Sequence, residues 1–265
     1  MNNPNDTIIQ TDSSPLVNLA AISVLGDRDE QQDSFGYSLQ HTEALVCVCD
    51  GMGGHQGGRQ ASNLAVDRLL YAYQNNSPCD DPKEMLLKAV KDADSAVAML
   101  KLPDGSPLRA GSTLVAVFIK NGLLYWSSVG DSRAYLIRDG EFVQLTSDQN
   151  YRMVLDEKLQ AGIITPSDYQ REIVRGEALI SYLGMGNVKL IDHNTVPLRL
   201  KKDDKIILMS DGLYKTLPDA QIARILDNFS NIQESLQALE MRAKKNAKND
   251  RIVRDNMTAV LIKVK

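Results

Sequence analysis

The sequence predicts an α+β fold: a β-sandwich of two antiparallel sheets packed face to face and flanked by α-helices. Three observations point there. Residues 112–145 form a block of apolar, β-branched runs broken by Asn-Gly at 121–122 and Asp-Gly at 139–140, the strongest short-range hairpin signals a chain carries. Two long stretches of three- and four-residue apolar spacing precede that block. After it come more strand-like runs, two further helical stretches and a closing strand at 257–264. Helices outside two packed sheets bury the outer face that each sheet would otherwise expose.

The elements follow in order. Residues 1–15 are polar, without the apolar core of a signal peptide, and are expected to be a loose tail. Strands are predicted at 19–25, 35–39 and 45–49, joined by short polar segments as an antiparallel meander. A helix follows from Arg59, with Ala61, Leu64, Ala65, Leu69 and Ala72 on one face. A second runs over 83–102, with Met85, Leu86, Ala89, Val90, Ala93, Val97 and Leu100 inward, and stops at Pro103 to Pro107. Strands then fall at 112–119, 123–129, 134–137 and 142–145. The segment 148–183 has mixed charge, helical pieces at 151–159 and 166–174, and little core pattern; it reads equally as a flap over a site or as two surface helices. Strands at 188–196 and 205–210, helices at 218–228 and 232–246, and the last strand complete a single domain over 16–265.

Composition narrows the function classes. With 30 Lys and Arg against 34 Asp and Glu, the formal charge is −4 over 265 residues, which gives no reason to expect nucleic acid or anionic lipid as partner. The basic run from Arg242 to Arg254 is interrupted by Asp250 and Asp255 and reads as a solvated helix end, where cations belong. No apolar run reaches the length of a membrane span. The three cysteines, Cys47, Cys49 and Cys79, lack zinc or CxxC spacing and are expected to be reduced and buried, as in a cytoplasmic protein.

The stretch from Ala44 to Gly58 carries the chemistry. An apolar run ends at Asp50 and passes into glycines at 51, 53, 54, 57 and 58. A carboxylate among glycines suits a hard cation or a phosphate, and equally an ordinary tight turn. The pattern repeats: 206–210 is apolar and runs into Asp211-Gly212, while Asp255 precedes Asn256 and the last strand. Carboxylates at strand ends, drawn from distant parts of a chain, are how an oxygen-ligand site for Mg²⁺ or Mn²⁺ is assembled. Three scattered histidines do not make a zinc site.

Several motifs in order resemble those of a known family: Cys-Asp-Gly-Met-Gly-Gly-His (49–55), Gly-Ser-Thr (111–113), Val-Gly-Asp-Ser-Arg-Ala-Tyr (129–135), Leu-Thr-Ser-Asp (145–148), Ser-Asp-Gly-Leu (210–213) and Asp-Asn-Met-Thr (255–258). They are similar to those of the bacterial protein phosphatase 2C family, metal-dependent Ser/Thr protein phosphatases, from about Leu19 to the end. Arg28 and Asp33 fall where that family has Arg-x-x-x-x-Asp. The resemblance implies two Mn²⁺ or Mg²⁺ ions held by Asp50, the Gly51 carbonyl, Asp211 and Asp255, with Asp50 bridging. It implies that Arg28 grips the substrate phosphate, that Asp33 orients the attacking water, and that Asp131 helps hold a weaker third ion. Substrates would be phosphoserine and phosphothreonine proteins, products of bacterial Ser/Thr kinases, and the protein a monomer. A catalytically inactive binding scaffold and a phosphatase of small phosphomonoesters are the alternatives. Cysteine-dependent phosphatase chemistry is excluded, because no cysteine has Arg six places on.

The chain also departs from that family. Arg59 stands where Glu is common, Met52 where eukaryotic members have His, and Gln149 where His follows Leu-Thr-x-Asp. Lys215 replaces a second Asp four residues after Asp211, which places the third ion in question. His55 is read as a loop residue. The segment 148–183 has no counterpart of the family's His-Pro-x-Arg-Asn.

Overall fold

The computed structural model describes residues 7–54 and 57–265. Its elements are β1 (Thr7–Ser13), β2 (Val17–Val24), β3 (Asp33–Leu39), β4 (Glu43–Met52), α1 (Gly57–Gln74), α2 (Pro82–Ala98), β5 (Gly111–Ser112), β6 (Leu114–Lys120), β7 (Leu123–Val129), β8 (Arg133–Arg138) and β9 (Glu141–Gln144). Beyond these lie α3 (Tyr151–Gln160), α4 (Pro166–Glu172), β10 (Asp192–His193), β11 (Leu198–Arg199), β12 (Lys205–Met209), α5 (Asp211–Tyr214), α6 (Asp219–Asn228), α7 (Ile232–Asp250) and β13 (Met257–Val264).

The strands form two antiparallel sheets. One runs β1-β2-β13-β12-β8-β9; the other runs β10-β7-β6-β4-β3, with β11 on β7 and β5 on β4. Each sheet is covered on both faces, which is why its central strands read as unbroken apolar runs rather than as alternation. Strand β4 shows the division: Val46 and Val48 face the other sheet, while Leu45, Cys47 and Cys49 face α1 and α2. Strand β13 divides likewise, with Val260 and Ile262 between the sheets and Ala259 and Leu261 against α6 and α7. Four layers result, helices outside and sheets inside, as the sequence predicts. All three thiols are buried and free.

Local turn chemistry behaves as expected. Asn121 and Gly122 have φ of 51° and 72°, and Asp139 and Gly140 have 53° and 81°. Two successive positive values twist a two-residue hairpin to match its strands. Among the described residues no helix is long and apolar enough to cross a membrane.

Four expectations are corrected. Residues 7–13 are not a loose tail: Thr7, Ile8, Ile9 and Thr11 are β-branched, and the segment pairs along its whole length with β2 as an exposed edge strand. Residues 1–6 and His55 lie outside the described residues. Strands β2, β3 and β4 do not form a meander. Strand β2 pairs with β1 and β13, whereas β3 pairs with β4, so residues 25–32 cross from one sheet to the other. Residues 188–196 are strand only at Asp192 and His193; at the start of the segment the Val188 amide donates to the buried Asp94 carboxylate of α2 and not to a strand, as the amides of Gly184 and Gly186 do just before it. Helix α2 ends at Ala98, short of the expected residue 102.

Candidate active site

The crossing segment 25–32, the end of β4 and the entries to α5 and β13 meet at one edge of the sandwich. Asp50 lies in β4, one residue beyond the apolar run, directly opposite Asp33 in the β3–β4 register. Its backbone is clamped by the Gly-Ser-Thr motif. The Asp50 amide donates to Thr113 Oγ1 at 2.9 Å, and its carbonyl accepts from the Thr113 amide at 2.8 Å and from Ser112 Oγ at 3.1 Å. Gly51 must be glycine on packing grounds: a Cβ there would stand 2.1 Å from the Gly58 carbonyl oxygen and 2.6 Å from that of Gln32. This glycine serves close backbone approach, without a positive φ.

Asp255 precedes β13, and its neighbours staple the crossing segment to it. Asn256 Oδ1 accepts from the Gln32 amide at 2.8 Å, and Asn256 Nδ2 donates to the Leu25 carbonyl at 2.8 Å. Arg254 adds a charged pair with Asp27 at 2.6 Å. Held this way, the exposed Arg28 places its guanidinium 2.6 Å from Asp255 Oδ2. Asp211 opens α5, whose glycine Gly212 packs against the Asn256 carbonyl. Ser210, just before it, donates its hydroxyl to Asp33 Oδ2 at 2.7 Å.

Asp131 sits buried in the β7–β8 turn. Tyr214 donates to its carbonyl at 3.1 Å, the Arg133 guanidinium lies 3.6 Å over the Tyr214 ring, and Arg133 grips both Asp148 oxygens through Nε and Nη2. Gln149 explains one departure from the family pattern: its amide holds the same turn, accepting from the Gly130 amide at 2.9 Å and donating to the Ser128 carbonyl at 3.2 Å. Arg59, a second departure, faces Glu30 at 3.5 Å.

The structure thus brings Arg28, Asp50, Gly51, Asp211 and Asp255 to the wall of one cleft of about 1410 Å³. An adjoining recess of about 770 Å³ shares Asp50 and Asp211 and adds Asp131, Lys215 and Glu177. Asp33 lies beneath, off the open wall. The sequence reading missed Arg109 and Leu108, which flank both cavities from the loop before β5, because nothing in their local pattern marks them.

Crowded acids raise one another's pKa, since each ionised neighbour disfavours the next charge. Burial chiefly, then Asp33, Asp211, Asp131 and Asp255, hold the Asp50 carboxyl well above the usual range. Burial, opposed by the Ser210 hydrogen bond and reinforced by Asp211, pushes Asp33 up to about 7. Burial and Asp211 push Asp131 up to about 6. In such a cluster acids outnumber cations, and its donors are all oxygens, the preference of Mg²⁺ and Mn²⁺. The chemistry of the set therefore fits a divalent centre. Among the described residues, however, no three acidic, His or Cys side chains converge as a closed coordination shell. Two of the acids are instead turned to cations, Asp255 to Arg28 and Asp211 to Lys215, each at 2.6 Å.

The family model described as Protein phosphatase 2C matches residues 25–249. The chain belongs to the protein phosphatase 2C family. Its relatives within that family include the "Serine/threonine phosphatase stp" of Listeria innocua, 28% identical over 89% of this chain and 90% of that one. The fold is similar to the crystal structure of the Mycobacterium tuberculosis serine/threonine phosphatase PstP/Ppp, with a TM-score of 0.76 and 28% identity over 94% of this chain and 99% of that one. It is also similar to the catalytic domain of PstP in complex with two manganese ions, at a TM-score of 0.74 and 27% identity over 94% and 98% of the two chains. The chain is a serine/threonine phosphatase of this family.

Proposed function

We propose that the chain hydrolyses phosphoserine and phosphothreonine side chains of proteins at a centre of two divalent ions, held by Asp50, the Gly51 carbonyl, Asp211 and Asp255. The observation that carries the reading is the Asp50 carboxyl, crowded by four other carboxyls at the wall of an open cleft with Arg28 at its rim. When bound, such a pair of ions acidifies a water for in-line attack on phosphorus and neutralises charge on the phosphoryl oxygens. Manganese is the ion of the PstP complex and is the metal proposed here first, with magnesium as the alternative that the same oxygen donors accept.

The chain's own residues supply the rest. Arg28 presents a planar fork of donors that matches two phosphoryl oxygens, a geometry a lysine cannot reproduce. Asp33, fixed by the Ser210 hydroxyl and facing Asp50 across the ladder, orients the attacking water. The Thr113 and Ser112 contacts keep the Asp50 backbone in place as charge moves through the site. The buried free thiols suit a reducing compartment such as the cytoplasm, and the reading has the chain acting as a monomer against the products of Ser/Thr kinases.

The test compares phosphothreonine and phosphoserine peptides with small phosphomonoesters under saturating Mn²⁺, then under Mg²⁺. Peptides turned over with the higher kcat/KM support the reading. A preference for small phosphomonoesters would assign the same centre to metabolites, and no turnover of any substrate would leave a binding scaffold.

A further inference from the structure

Lys215, like Arg59, reverses the charge of the family pattern, and the structure gives it two acidic partners. It follows α5 by one position and so lies on the same helical face as Asp211, with its ammonium 2.6 Å from Asp211 Oδ2. The same nitrogen is 3.6 Å from Glu177 Oε2, in the 148–183 segment. Glu177 is held from its other oxygen by Arg152 of α3 at 2.9 Å. A chain of alternating charge therefore runs from α3 through Glu177 and Lys215 to Asp211. Asp131 lines the same recess.

An isolated Asp–Lys pair one helical turn apart would mean little, since exposed pairs of this kind contribute almost nothing. Two features separate this one. Asp211 is only 19% exposed and faces the acid cluster. The second carboxylate comes from the 148–183 segment, whose helices are thinly packed: α4 buries no residue, and α3 buries only Leu155.

We propose, resting on the metal-centre reading above, that Lys215 is a positioning residue: a built-in cation that replaces a third metal ion beside Asp131 and Asp211 and, through Glu177, ties the 148–183 segment to a metal-holding acid. A fixed ammonium repels a third cation and already satisfies Asp211 on that side, so the centre holds two ions. The wall of the recess, and with it the approach of a phosphopeptide, is then set by a side chain of the protein and not by metal concentration.

Two measurements test this. Mn²⁺ bound per chain is counted by elemental analysis after equilibrium dialysis, for wild type and Lys215→Asp. Hydrogen exchange of residues 173–182 is measured in metal-stripped wild type, Lys215→Met and Glu177→Gln; the last substitution lies outside the metal centre and on an exposed segment, so it does not threaten the fold. The expected result is two ions in wild type and three in Lys215→Asp, with exchange roughly tenfold faster in both neutral variants. A third ion in wild type, only two in Lys215→Asp, or unchanged exchange in both neutral variants would overturn the inference. No bound ion in wild type would overturn the metal-centre reading itself, which two ions with unchanged exchange would leave standing.

Discussion

Arg28 reaches across 227 positions of sequence to hold Asp255 Oδ2 at 2.6 Å, joining the residue proposed to grip phosphate to one proposed to grip metal. The two roles compete for the same carboxylate oxygen. If Asp255 held an ion, its Arg28 partner would be released towards the cleft, where the guanidinium could meet a phosphate.

Replacing Arg28 should therefore separate substrate from metal. In Arg28→Ala, KM for a phosphopeptide is expected to rise roughly 10- to 100-fold, the loss of about 1.5–3 kcal/mol of charged hydrogen bonding. Mn²⁺ affinity measured by calorimetry should be unchanged or slightly tighter, because a competitor has gone. Weaker Mn²⁺ binding in this variant would count against the assignment.

Asp131 should make the metal-stripped protein less stable as pH rises. Its carboxyl is pushed up to about 6 from an unfolded value of 3.8. The folded state thus keeps a proton that the unfolded chain has lost, so the contribution is complete below about pH 4 and disappears as pH climbs towards about 6. The loss is roughly 3 kcal/mol, at about 1.4 kcal/mol for each pH unit. Asp33, pushed up to about 7, acts in the same direction over a wider window. Melting temperatures of wild type and Asp131→Asn, taken between about pH 4.5 and pH 7.5, should converge at the acid end and diverge above, with the variant more stable. Parallel curves would show that Asp131 is not held in this way.

Gly212 should resist replacement even though it lies in a helix. Alanine is ordinarily better there by about 0.8–1 kcal/mol. A Cβ at Gly212 would stand 2.0 Å from the Asn256 carbonyl oxygen, which is backbone and cannot swing aside. Relief requires pushing α5 from β13, the two elements that carry Asp211 and Asp255. Gly212→Ala is expected to cost on the order of 3 kcal/mol and to weaken Mn²⁺ binding together with stability. A variant as stable as wild type would mean that α5 and β13 separate easily.

The parts of this molecule legible in the sequence are those set by local chemistry. The turns at Asn121-Gly122 and Asp139-Gly140 were readable because their backbone signs depend on the residues themselves. The faces of α1 and α2 were readable because helical spacing records burial directly. Asp50 and Asp211 could be grouped because each ends an apolar run directly before a glycine, and Asp255 joined them as an acid at the start of a strand; a single cleft contains all three. What was not legible depends on distant partners. Strand β2 leaves its neighbour β3 for β13, almost the full chain away, and no local signal records that choice. Residues 188–196 have strand-like composition, yet the Asp94 carboxylate on α2 takes the amide of Val188. The polar residues of Thr7–Ser13 disguised a strand whose edge position leaves it exposed. Lys215 stood out as a departure, but its hold on Glu177 needed the fold.

The account rests on Asp50 as the acid around which the ions gather, and one assay addresses it directly. Hydrolysis of an aryl phosphate is followed against added Mn²⁺ for wild type and Asp50→Ala, with phosphopeptides as a second substrate. The account predicts turnover that rises with Mn²⁺ and saturates in wild type, and background turnover in the variant at every concentration. Wild type no faster than Asp50→Ala on either substrate at saturating Mn²⁺ would contradict it.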